Sequence, residues 1–114
     1  MAFVLKQSDT YIWPIQVDTP VDGGRHHRST FDGEFRRVSQ SRIREMGEQV
    51  ENGEITDADL VSEVLVGWDG IDDDDGNPVK FSQSSLQQLV DVPMVATAIA
   101  TAYFDSLSGA KRKN

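Results

Sequence analysis

The sequence predicts an α+β fold, an N-terminal antiparallel β-hairpin packed against about four C-terminal helices. Three observations predict it. Apolar residues alternate with polar ones between residues 11 and 38, the apolar spacing changes to three and four from residue 39, and Gly, Asn and Pro clusters separate the segments.

In residues 11–18, Tyr11, Trp13, Ile15 and Val17 fall on one face of a strand, with Ile12, Pro14, Gln16 and Asp18 on the other. Pro14 has no N–H to donate, so this strand is an edge or keeps its proline on the unpaired side. Val21-Asp22-Gly23-Gly24 signals a turn. Residues 27–38 alternate again, with Phe31, Gly33 and Phe35 opposed to Thr30, Asp32, Glu34 and Arg36. The two segments read as a long hairpin, and residues 2–5 are a candidate third strand. Its aromatic face is expected to pack on helices and its other face to stay wet.

Ser39 or Ser41 can cap the first helix, in which Ile43, Met46, Gly47 and Val50 follow helical spacing until Glu51-Asn52-Gly53. Thr56-Asp57-Ala58-Asp59 resembles a capping box for a second helix, whose Leu60, Val61, Val64 and Leu65 face inward. Gly67 and Gly70 are expected to end it by taking positive φ. Ser82 can cap a short third helix carrying Leu86, Leu89 and Val90. Pro93 suits the first turn of the last helix, where Val95, Ala98, Ile99, Ala102 and Tyr103 make one stripe. Phe104 and Leu107 widen that stripe, and Gly109 ends the helix. One compact domain is expected over residues 1–110, followed by a short basic tail at 111–114.

At 114 residues the chain is long enough to bury about two thirds of its unfolded surface without covalent staples. It has no cysteine, which removes disulfides, thiol catalysis and Cys-based zinc sites. No apolar run approaches the ~20 residues of a membrane span, and the amino end lacks the regions of a secretory signal. The net charge of −8 is uneven. Residues 1–50 balance seven Lys/Arg against seven Asp/Glu, whereas residues 51–114 set four against twelve. So acidic a second half repels a phosphate backbone, and nucleic-acid binding is disfavoured.

Four consecutive aspartates, Asp72 to Asp75, sit between Trp68 and Phe81. The pattern predicts an exposed acidic loop held at both ends by aromatic anchors. An EF-hand with its glycine at Gly76 needs acids where the chain has Ile71 and Ser82, so a solvated turn is expected instead. His26 and His27 are strand neighbours that point to opposite faces and cannot readily share a metal. There is no nucleophile elbow, no phosphate-binding loop and no dinucleotide turn. No catalytic, cofactor or metal residues are assigned. Arg25, Arg28, Arg36, Arg37, Arg42 and Arg44 cluster in the hairpin and first helix. They read as an RNA- or DNA-contacting stripe, as a solvated face balanced by local acids, which is favoured over the stripe, or as the basic half that meets the acidic half of another copy.

Four stretches together resemble a family of tail assembly chaperones from long-tailed bacteriophages and prophages. They are Met1-Ala-Phe-Val-Leu-Lys with Tyr11-Ile-Trp-Pro-Ile; Phe35-Arg36-Arg37-Val38 with Ser41-Arg42-Ile43; Glu63-Val64-Leu65-Val66-Gly67-Trp68-Asp69-Gly70-Ile71 with Asp75-Gly76-Asn77-Pro78-Val79 and Phe81-Ser82; and Val92-Pro93 through Ala102-Tyr103-Phe104. They span nearly the whole chain. The resemblance implies a protein without catalysis or cofactor. It would engage the tape measure protein in the host bacterial cytoplasm while tail tube subunits polymerise, and be absent from the mature virion. It also implies that a longer form, made by a −1 frameshift, recruits tail tube protein; Lys113-Asn114 encoded AAA-AAC after an A would supply a slippery site. Self-association is expected, with no nucleic acid and no membrane as partner.

The resemblance assigns no contact residues. On the chain's own chemistry the candidates for partner binding are Trp68, Tyr103, Phe104 and Leu107, because aromatic anchors dominate interfaces. For Trp68 the core is the favoured reading, and Phe104 and Leu107, lying off the main stripe, are the better surface candidates. Two other readings stand beside this one: a structural tail or head–tail connector component of the virion, and a small acidic regulator that mimics nucleic acid.

Overall fold

The computed structural model of the chain describes residues 1–109. The tail expected at 111–114 lies outside the described residues. Strands β1 (Thr10–Val21) and β2 (Arg25–Arg36) form the hairpin. Helices α1 (Gln40–Glu51) and α2 (Asp57–Val64) follow, then strand β3 (Leu65–Asp69) and helices α3 (Gln83–Val90) and α4 (Val95–Ser108).

The sheet is antiparallel with order β1-β2-β3, so β2 is central and β1 is an edge, where Pro14 requires it to be. The β1–β2 register is regular from Thr10 opposite Arg36 to Val21 opposite Arg25. Gly23 and Gly24 close it with φ of 85° and 72°, a pair of left-handed conformations that side chains resist. Pro14 and Pro20 are six residues apart, so both present their missing N–H on the same side of β1. Because β2 takes the other side, the two prolines interrupt the free edge.

Alternation behaves as predicted. Ile15, Val17, Phe31, Gly33 and Phe35 are buried beneath the helices, and Ile12, Pro14 and Gln16 face outward. Gly33 lies between Trp13 on β1 and Trp68 on β3. A Cβ there would come within 2.5 Å of the Ile15 Cδ1 atom and 3.1 Å of Leu65 Cδ1, so the glycine is required by packing. Met46, Leu60, Val61, Val64, Leu86, Val95, Ile99 and Tyr103 complete the core from the helices. Phe35 and Tyr103 meet edge to face at 5.1 Å, joining the central strand to α4.

The expected caps form. Ser39 accepts the Arg42 N–H, and Thr56 and Ser82 each make reciprocal capping boxes, with Asp59 and Ser85 respectively. Among the described residues, no helix is long and apolar enough to cross a membrane.

Three expectations are corrected. The third strand is Leu65–Asp69, and residues 2–5 form no strand. The open side of β2 is taken by β3, and the free edge of β1 is broken by prolines. Leu65 is buried as predicted but belongs to β3, and Gly67 is a strand residue packed over Glu34; α2 already ends at Val64, so neither glycine ends it, and Gly70 takes its positive φ of 101° after β3 instead. Pro93 precedes α4, whose N-cap is Met94 at φ 75° with no side-chain cap.

Candidate partner-binding surface

The end of α4 lies beside the start of β1 and the end of β2. Tyr11, Arg36, Arg37 and Val38 from the sheet end, Tyr103 and Leu107 from α4, and Leu5 and Asp9 from the N-terminal segment line a hollow of about 700 Å³. Its walls are fixed by local bonds. Ser106 donates its hydroxyl proton to the Tyr103 carbonyl at 2.6 Å, so the Tyr11 phenol is left to donate to Ser106 Oγ at 2.7 Å. The Arg37 N–H donates to the Asp9 carbonyl at 2.9 Å, and the Arg37 guanidinium lies 4.8 Å from the centre of the Tyr11 ring.

Tyr103 forms the floor and is wholly buried, and its hydroxyl has no hydrogen-bond partner among the described residues. Burial pushes its pKa up to about 12. Phe104 is half-buried with its ring 5.6 Å from that of Tyr103, and Leu107 is 42% exposed. Of the four residues singled out in the sequence, Leu107 therefore offers free apolar surface, Phe104 offers part of its ring, and Tyr103 is a core residue.

Trp68 stands elsewhere. Its indole N–H donates to the Val79 carbonyl at 2.7 Å and its ring meets Phe81 edge to face at 5.0 Å. These contacts clamp the acidic loop, as the sequence suggests. Within it, Asp72 bridges to Pro78, and the Val79 N–H donates to the Ile71 carbonyl at 2.8 Å. Asp73 Oδ1 accepts the N–H groups of Asp75 and Asn77 at 2.9 Å each. The carboxylates of Asp73, Asp74 and Asp75 cluster in solvent. His26 and His27 are exposed neighbours on β2.

The arginines divide. Arg42 makes a forked pair with Glu63, through Nε at 2.7 Å and Nη2 at 2.6 Å, and Nη1 reaches Glu45 at 2.8 Å. Arg36 donates to the Glu63 carbonyl at 2.8 Å. The Arg42 hydrogen bonds hold the Glu63 carboxyl below its usual range and raise the pKa of Arg42 itself. Two arginines of the basic half are thus engaged within the chain by a residue of the acidic half. Arg28 pairs with Asp18 at 3.1 Å on the exposed hairpin. Arg37 makes no ion pair among the described residues.

One contributor to this end was missed as surface. Met1, Phe3, Val4 and Leu5 are all more than half exposed, with Phe3 at 81% and Leu5 at 89%. The signal was present as an apolar run ahead of an edge strand already marked by Pro14. Exposed apolar residues grouped beside a hollow are the pattern of an interaction surface rather than of random scatter.

Comparison with curated proteins and with solved structures found no match. The model of one protein family, described as phage tail assembly chaperone, matches residues 1–114. The chain belongs to the phage tail assembly chaperone family.

Proposed function

We propose that this chain binds the tape measure protein and keeps it soluble while the tail tube assembles around it. The observation that carries the reading is the apolar end of the molecule, where Leu5 and Leu107 line one hollow and Phe3 and Val4 extend from it in solvent. A lone globular domain gains nothing from such surface; a protein that shields apolar segments of a partner does. The acidic loop and the −8 net charge would keep a many-copy complex dispersed. The role requires no chemistry beyond binding. It places the protein in the host cytoplasm during assembly and outside the finished particle. A frameshifted longer form would add recruitment of tail tube protein, and self-association would let several copies coat one long partner.

Co-expression with the tape measure gene of the same phage tests this reading. The tape measure protein should move from the pellet to the soluble fraction and co-purify with the chain. Equal solubility with and without the chain would remove the proposal. Mass spectrometry of purified virions separates a chaperone, which is absent, from a connector, which is present in fixed copy number.

A further inference from the structure

The hollow at the α4 end combines features that its place in the fold does not use. Tyr103 closes its floor, with a hydroxyl that is sealed below the surface and, among the described residues, has no hydrogen-bond partner. Its rim holds Arg37, a cation stacked on Tyr11 and, among the described residues, without a carboxylate partner, whereas the neighbouring Arg36 is engaged by Glu63. In a molecule of net charge −8 such a site stands out to an approaching anion. Leu5 and Leu107 flank it with exposed aliphatic surface, and Asp9 supplies its single acidic side chain.

We propose that this hollow takes a segment of the partner in which an acidic residue lies among large apolar ones. Arg37 receives the carboxylate, and Leu5 and Leu107 take the apolar side chains. The inference rests on the reading that the partner is the tape measure protein and adds which segments of it are chosen. Charge complementarity gives orientation here, because a purely apolar stripe could slide along the same surface.

The test uses the full chain and synthetic peptides tiling the tape measure protein, with binding read by fluorescence anisotropy. Peptides with an Asp or Glu between large apolar residues should bind, and their Asn or Gln versions should bind less well. Arg37→Ala should weaken binding about tenfold and flatten its salt dependence. Leu107→Ser, at an exposed position of the same hollow, should weaken binding while leaving the melting temperature unchanged. Wild-type affinity in both variants overturns the hollow while leaving the chaperone reading intact. Failure of every peptide and of the full-length tape measure protein overturns both. Loss of a homo-oligomer in Arg37→Ala, with peptide binding preserved, assigns the hollow to a second copy and overturns the inference.

Discussion

Tyr103 carries an energetic conflict that one atom decides. Its ring is central to the core and its hydroxyl is buried without a partner. Removing the oxygen should therefore be neutral or stabilising by about 1 kcal/mol, where most core changes destabilise. Chemical denaturation of Tyr103→Phe checks this. The same burial sets an alkaline limit. The folded pKa is about 12, above the ordinary value of 10.0, so this stability is fully present below pH 10.0 and is lost as pH rises through about 12. That alkaline loss should be smaller in Tyr103→Phe. Gly33 is the opposite case, a residue defined by what it lacks. Gly33→Ala should cost about 1–3 kcal/mol because Ile15 and Leu65 already fill the space its Cβ would need. Gly67→Ala comes closest to the carboxylate end of Glu34, at 2.7 Å, with the Glu34 Cβ at an ordinary 3.4 Å, and should cost less.

At the scale of elements, the fold depends on Glu63 joining α1, α2 and the end of β2. Glu63→Ala should lower the melting temperature on the order of 5 °C at pH 7. Because the folded pKa of Glu63 is depressed, this contribution is present above the unfolded carboxylate range and is lost as pH falls through the folded value. Wild type and variant should therefore converge in melting temperature near pH 2. The hairpin and helices were legible because each shows its own period, and the caps at Ser39, Thr56 and Ser82 mark their starts in local chemistry. Strand β3 was not legible. Leu65 continues the stripe of α2, and Gly67 reads as a helix breaker unless Glu34 is known to lie opposite. Its pairing is long-range, so no local spacing announces it. The N-terminal segment failed in the reverse sense: its apolar run looks like a strand, but the edge of β1 that follows it is interrupted by Pro14 and Pro20.

For the whole molecule, the separation of charge is partly consumed inside the chain, since Arg36 and Arg42 turn to Glu63. The acidic loop stays in solvent, held by Trp68 and Phe81. Trp68→Ala should free it, seen as faster hydrogen exchange at Val79, whose N–H bonds to Ile71, with a smaller change in the hairpin. At the site, Phe104 and Leu107 were visible in sequence as residues beside the main stripe. The hollow was not, because it is made where three distant segments converge.

The proposed role depends on exposed apolar surface at one end being used on a partner. The most direct measurement compares the soluble yield of co-expressed tape measure protein with the wild-type chain and with a Leu5→Ser/Leu107→Ser variant of unchanged melting temperature. Both residues are exposed, so the variant should fold. The wild type should hold the tape measure protein in solution, and the variant should leave most of it in the pellet. Equal rescue by the two would contradict the account.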